Sequence, residues 1–493
     1  MPGLNASLYI GLSGLQAQQA ALGVVGHNIA NVNTPGYTRQ RADLIANQAQ
    51  PQGQIYFGTG VSLNSVQGVR DKFLDLQIYR ESARQAGAEE RYSGVNAIAN
   101  VVGDTSDTGI AAQIQSFFQS FQSLAAQPES AALRTNVVGK AQAMITGLQS
   151  QYRLLDDQRN SADQAVGSLV TQVNNLTSQI AELNQQITTE SDPGANNDAR
   201  DQRKALTDQL AGLVGISVFE GSKGEYQITL DTGAGVLVSG SSAYKLQTSP
   251  GGAALDNHLA VQSVMGGTVV DVTAGIKDGQ LGGKLDLRDN ILAGFQRQLD
   301  QIAAGVARQV NQLHRTGFAA DGVTTGNDFF QSGVANGGTG LPTTVSAATF
   351  YKGMVNALSV NAAIVGNPSL IAAAGVAGAQ GDNARANAIG NLQTATSTVD
   401  TNGDGITDAG PFSSVVGSLV SDVGTQSQSY HTQSTTQQNL VTALQNQRDS
   451  ISGVDLNEEA ANMMNLQRGY QASARFLSVI NQLTEQLVTQ FGQ

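Results

Sequence analysis

Apolar residues recur at helical spacing at both ends of this chain, and both ends are poor in charge. Near the start, Leu8, Leu15, Leu22 and Ile29 return every seventh residue, with Leu4, Leu12 and Val25 widening the stripe. That recurrence is coiled-coil periodicity, and an ordinary core helix is also compatible with it. No Asp, Glu, Lys or Arg precedes Arg39. Gly11, Gly14, Gly23 and Gly26 each weaken such a helix by about 1 kcal/mol relative to Ala, so it needs a partner. At the far end, Met463, Leu466, Tyr470, Ser473, Leu477, Ile480, Thr484, Leu487 and Phe491 step by three and four, after a helix start at Asn457, Glu458 and Glu459. Two charge-poor amphipathic helices at opposite termini can pack together and hold the chain ends side by side.

Between them the same spacing continues. Val166, Leu169, Val173, Leu176, Ile180, Leu183 and Ile187 predict a helix, "SDPGANND" breaks it, and Leu206, Leu210 and Leu213 resume it as a helical hairpin. A long helix is expected from Leu285 to Leu313, carried by Leu292, Phe295, Leu299, Ile302, Val306 and Val310, and another from Ser414 to Arg448. From Gly215 to Gly283 the period becomes two, as in "EYQITL", with Gly-rich turns, which reads as short strands. Thr316 to Ala379 is again Gly/Thr/Ser-rich, with "NALSVNAAIV" strand-like and a short capped helix starting at Asn367. The expected fold class is α+β and multidomain, since 493 residues exceed one ordinary core. Residues 1–50 with 450–493 would form a terminal coiled-coil domain. Residues 51–214, 284–315 and 380–449 would form a helical middle domain, and 215–283 with 316–379 one β-rich outer domain.

Composition narrows the function. Charged residues make up 13%, about half the usual share, which suits surfaces covered by other chains. A net charge of −12 without a basic cluster argues against nucleic acid. The absence of Cys removes disulfides, thiolate metal sites and Cys nucleophiles. The N-terminus lacks the basic and apolar regions of a general secretory signal, and no apolar run is long enough to span a bilayer. Motifs for serine hydrolysis, zinc proteolysis and P-loop nucleotide binding are missing; "DGQLGGKLD" has Leu285 where a P-loop needs Ser or Thr. His27, His258, His314 and His431 lie far apart and read as structural. Asp400, Asn402, Asp404, Gly405 and Asp408 match calcium-loop positions, but Pro411 stands where the bidentate Glu belongs, so a Gly/Asp-rich turn is favoured over a weak metal site. No catalytic residues and no cofactor are expected.

"HNIANVNTPGYTRQR" ends the first helix with Asn28, Asn31, Asn33, Thr34, Pro35, Gly36 and Tyr37. This run resembles the N-terminal signature of the axial proteins of the bacterial flagellum: rod, hook and hook-associated proteins. "YTRQR", the C-terminal "NEEAANMMNLQRGYQASARFLSVINQL", and mid-chain "GGKLDLRDNILAGFQRQLDQIAAGVARQVNQLHRTGFAADG" and "GDNARANAI" resemble more narrowly the hook-associated protein 1 family. The resemblance implies that the terminal helices line a tube, with Leu8, Leu15, Leu22, Ile29, Leu466, Tyr470, Leu477, Ile480 and Leu487 as assembly seam and the Asn/Pro/Gly run as its corner. It further implies a secreted structural adaptor between hook and filament, exported by the flagellar type III apparatus. Implied partners are hook protein, hook-associated protein 3, further copies in a ring, and an export chaperone at the C-terminal helix. Another axial protein, hook or distal rod, and a calcium-dependent surface adhesin are the alternatives.

Overall fold

The computed structural model describes residues 2–34, 36–52, 55–102, 109–189, 196–233, 235–332, 352–395, 397–399, 408–410 and 412–491. The chain opens with helix α1 (Pro2–Ala30), turns, and runs back along it as β1 (Gln40–Ala46), a hairpin of β2 (Gln50–Gln52) and β3 (Ile55–Phe57), and β4 (Val61–Gly68). β1 and β4 pair antiparallel from Gln40↔Gly68 to Ala46↔Val61 with a bulge at Asp43/Leu44, and both lie against α1. Three helices follow, α2 (Lys72–Val102), α3 (Ile110–Ala126) and α4 (Ala131–Thr189), and then α5 (Asn197–Leu213). α4 has 59 residues, hence a length of about 90 Å. Its second half and α5 form the expected hairpin, burying Val166, Leu169, Val173, Ile180, Ile187 and Leu210.

β5 (Ile216–Glu220), β6 (Tyr226–Leu230), β7 (Val236–Ser239) and β8 (Ser242–Ala243) make a four-stranded antiparallel meander. β9 (Lys245–Pro250), β10 (Leu259–Met265) and β11 (Thr268–Asp271) make a second antiparallel sheet, ordered β11-β10-β9. The expected Leu285–Leu313 helix forms as α6 (Gly279–Asp286), a π-helical turn at Leu287–Leu292 and α7 (Ala293–His314). That turn carries Arg288, which is fully buried and donates to Asp163 on α4 at 2.5 Å and to the Leu259 carbonyl at 2.9 Å. Beyond lie β12 (Phe330–Ser332), α8 (Met354–Ala357), β13 (Leu358–Val360), α9 (Ala362–Gly366), α10 (Ala384–Asn391), β14 (Ser397–Val399) and β15 (Asp408–Gly410). The chain closes with α11 (Phe412–Ser452) and α12 (Leu456–Phe491). Between α9 and α10, Asn367 caps a short 3-10 turn as expected, its side chain accepting from the Ser369 amide.

The architecture is α+β and multidomain, with helices at both termini. Two apolar cores sit at different levels of α4. The first gathers Phe117, Phe118 and Phe121 of α3, the first half of α4, α7, and Phe329, Phe330 and Phe412, with ring centroids 4.8–5.9 Å apart. The second joins the later half of α4 and α5 to β5–β10 and α6. The two segments expected to share one β-rich domain, 215–283 and 316–379, contribute apolar residues to different cores. The strands of the first segment line the second core, whereas Phe329, Phe330, Val355, Leu358, Ile364 and Ile371 belong to the first. Among the described residues β12 and β13 pair only with each other. The physical reason is that α4 runs unbroken through both levels, and the phenylalanines of α3 draw Phe329 and Phe330 to their own end of it.

Candidate assembly interface at the paired chain ends

α1 and α12 pack as an antiparallel pair: Gly11 faces Leu477, Gly14 faces Ser473 and Gln18 faces Gly469. A Cβ at Gly11 would stand 2.9 Å from Leu477 Cγ and Cδ2 and from Phe476 Cδ1, so the helices approach to a distance that only glycine permits there. On α12 the expected seam positions Met463, Leu466, Tyr470, Ser473, Leu477, Thr484 and Leu487 are half-buried and Ile480 is buried; Glu459 is buried as well, and Gly469 and Ala474 are half-buried. On α1 the innermost side chains are Ala17, Ala21, Val25 and Asn28, while Leu8, Leu15, Leu22 and Ile29 are half-buried beside them. The leucine stripe is thus turned by about 100° from the line of contact. Close approach at Gly11 and Gly14 lets small residues occupy the centre and moves the larger ones to its edge. Tyr9 and Leu12 on α1, and Phe476, Val479, Leu483 and Val488 on α12, remain exposed.

The corner after α1 is closed by Asn28, which is fully buried. Its Nδ2 donates to the Gln40 carbonyl at 2.8 Å, and its Oδ1 accepts from the Gln40 amide and the Tyr37 hydroxyl, each at 2.9 Å. That hydroxyl has committed its proton to Asn28, so His27 Nδ1, 3.0 Å away, is the donor to it. Asn31 Nδ2 donates back to the His27 carbonyl at 3.0 Å and Thr34 Oγ1 to Asn31 Oδ1 at 3.1 Å, so side chains occupy groups freed at the helix end. Gly36 has φ +80° and takes the turn's left-handed position; Asn33 is exposed, and Pro35 lies outside the described residues. Burial, then the carboxylates of Asp201, Asp198 and Glu459, hold the Tyr37 phenol well above its ordinary value. Tyr37 therefore stays protonated and able to donate.

The corner is tied to the middle of the molecule. Asp201 on α5 accepts from the Thr38 amide at 3.0 Å and pairs with Arg70. Arg39 donates its amide to the Ser452 carbonyl at 2.8 Å and its guanidinium pairs with Glu458 at 2.6 Å, joining corner to the α11–α12 turn. Asp455 caps α12, accepting from the Asn457 amide at 2.7 Å; the helix start expected at Asn457 is thus one cap earlier. Sequence reasoning missed the β1–β4 ribbon, Arg70 and Asp201, whose partners lie far apart in the chain. Asp400, Asn402, Asp404 and Gly405 lie outside the described residues, and only the backbone of Asp408, in β15, is described. Among the described residues no cluster of three or more metal-ligating side chains occurs.

A helix pair made from the two chain ends, closed by an Asn-rich corner and free of Asp, Glu, Lys and Arg on its first member, agrees with the resemblance to flagellar axial proteins. Residues 8–38 match the model of flagella basal body rod proteins, and residues 445–490 that of the C-terminal region of flagellar basal body rod FlgEFG proteins. Residues 95–330 match the flagellar hook-associated protein FlgK helical domain. Flagellar hook-associated protein 1 of Escherichia coli K12 is 30% identical over 97% of this chain and 98% of its own length. That of Bacillus subtilis 168 is 28% identical over 97% of this chain and 96% of its own. The chain belongs to the flagellar hook-associated protein 1 family. Its fold is similar to that of the flagellar hook junction protein FlgK from Burkholderia pseudomallei, with a TM-score of 0.64 at 18% identity, covering 76% of this chain and all of that one.

Proposed function

We propose that this chain is a structural adaptor of the hook–filament junction, assembling through its paired terminal helices after export through the flagellar type III apparatus. One observation carries the reading: the α1–α12 pair is joined along a line of small residues, while Tyr9, Leu12, Phe476, Val479, Leu483 and Val488 stay exposed on its flanks. Exposed apolar side chains at this density mark a surface that other chains cover. Their neighbours are further copies in a ring, with Leu8, Leu15, Leu22 and Ile29 meeting Leu466, Tyr470, Leu477, Ile480 and Leu487 both within and between copies. Hook protein below and hook-associated protein 3 above take the two ends of that ring. The export chaperone takes the stripe of α12 before assembly, when it would otherwise be exposed to water. The role is mechanical and not catalytic. Immunogold labelling of isolated hook–basal bodies tests it: label is expected at the distal end of the hook, and label elsewhere on the cell rejects the reading.

A further inference from the structure

Helices α1 and α12 and the β1–β4 ribbon form a layer that no apolar core joins to the body of the molecule. Among the described residues, neither core takes a side chain from before Leu76 or after Tyr430. The chain crosses between layer and body twice, through 69–71 into α2 and through 453–455 into α12. Hydrogen bonds make the remaining ties. The Thr38 amide donates to Asp201 Oδ2 at 3.0 Å and the Arg39 amide to the Ser452 carbonyl at 2.8 Å. Gln40 Nε2 donates to Asp198 Oδ1 at 3.3 Å, and Asn197 Nδ2 to the Val66 carbonyl at 2.8 Å.

A cavity of about 40 Å³ lies in this joint, with room for about three waters. Tyr37 and Thr38 of the corner, Arg70 and Asp75 at the start of α2, Lys204 of α5 and Arg448 of α11 line it, and no Leu, Ile, Val, Met or Phe does. Arg70 Nε is buried with no partner in the protein, so a water in the cavity is the acceptor that suits it. Asp201 stands at the centre of these ties. Its Oδ2 holds Thr38, just before β1, and its Oδ1 pairs with Arg70, just after β4. One carboxylate on α5 therefore pinches both ends of the ribbon, through charge-assisted bonds. A polar, hydrated boundary with few ties can open without breaking a packed core on either side.

We propose that this joint is a hinge and that Asp201 is its latch. With both bonds made, the layer stands at one angle to the body. With them broken, it turns on 69–71 and 453–455 while α1, α12 and the ribbon stay packed on each other. The proposal needs no contact between copies.

Hydrogen exchange of the purified chain, read residue by residue, tests it in Asp201→Ala. The Thr38 amide loses its acceptor in that variant whatever the joint does. The reporter is the Arg39 amide, which crosses the joint to Ser452 without touching Asp201. It should exchange about tenfold faster. The Gln40 amide, held by Asn28 inside the layer, should keep its rate, and the main unfolding transition should not move, because Asp201 belongs to neither core. Arg70→Gln weakens the latch from the other side and should give the same pattern with a smaller increase. An Arg39 amide at its wild-type rate in both variants overturns the proposal. Equal acceleration of Arg39 and Gln40 also overturns it, since Asp201 would then hold the layer's own fold. A wild-type Arg39 amide exchanging as fast as an unstructured peptide overturns it too, since nothing would be latched.

Discussion

Leu477→Asp separates the helix pair within one copy from the surface that copies present to each other. Leu477 is half-buried, with Cγ and Cδ2 over Gly11. Full burial of a leucine is worth roughly 1.5–3 kcal/mol, so about 1 kcal/mol is realised within the copy and the remainder only against a neighbour. In the free chain a carboxylate at this half-exposed position keeps much of its water. Between copies it must be dehydrated or protonated, at several kcal/mol more. Leu477 belongs to neither core, so the main unfolding transition of the purified variant should match the wild type by calorimetry. In cells the penalty recurs in every subunit of the ring. Hooks should lack filaments and flagellin should appear in the medium. Lys223→Asp, in the exposed turn between β5 and β6, should remain motile. Export is measured separately, because the chaperone would use the same stripe. A Leu477→Asp chain that is exported normally and supports swimming refutes the seam.

Asn28→Ala removes three bonds from a fully buried position and should cost about 1–3 kcal/mol; trypsin should then cut faster after Arg39 and Arg41, and an unchanged rate would show that Asn28 is not the latch. Burial lowers His314 to about 4, so the stability it contributes is complete above its unfolded value near 6.5 and is lost as pH falls through 4. Burial raises Asp300 to about 6 against the pull of the Gly353 and Val355 amides, so its contribution is complete below about 3.8 and is lost as pH rises through 6. The two oppose each other at pH 4.5 by about 2–3 kcal/mol each. Asp300→Asn should therefore steepen the fall in the urea midpoint between pH 7 and 4.5, and a slope equal to the wild type would remove Asp300 from the account. Limited proteolysis of purified monomer should trim both ends to a core between about Gln50 and Asn446, since α1 and α12 leave several large apolar side chains exposed and belong to neither core; protection of both termini in a proven monomer would contradict this.

The parts legible in the sequence were those with a strong apolar period and a local cap. Of the positions read from three-four spacing on α12, Met463 to Leu487 are half-buried or buried and the side chain of Phe491 lies outside the described residues; the α4–α5 hairpin forms where "SDPGANND" interrupts the pattern, and Asn367 caps its turn. The β1–β4 ribbon was not legible, because "QRADLIA" hardly alternates and is held by remote partners such as the Thr38–Asp201 and Asn197–Val66 bonds. α2 escaped a clear reading for a related reason: it packs on α11 as a long polar helix with few large apolar residues to set a period, whereas α11 was read from Ser414 to Arg448 and forms as Phe412–Ser452. The placement of 215–283 and 316–379 in separate cores depends on where α4 puts them, and no local pattern encodes that.

Periodicity also shows that a face is apolar without showing which chain covers it. In α1 the heptad of leucines and the small residues between them belong to two adjoining faces. The small face is covered within the chain, by α12 at Gly11 and Gly14 and by the corner at Asn28, and Leu477 comes so close to Gly11 that a Cβ there would clash. The leucine face is covered only in part, and Gly23 and Gly26 look onto open space. A stripe wider than one helix can cover, in a helix weakened by four glycines, is stable only when a second surface arrives. Packing within the chain accounts for Gly11 and Gly14, and on the assembly proposed above Gly23 and Gly26 are the pair left for a surface outside it.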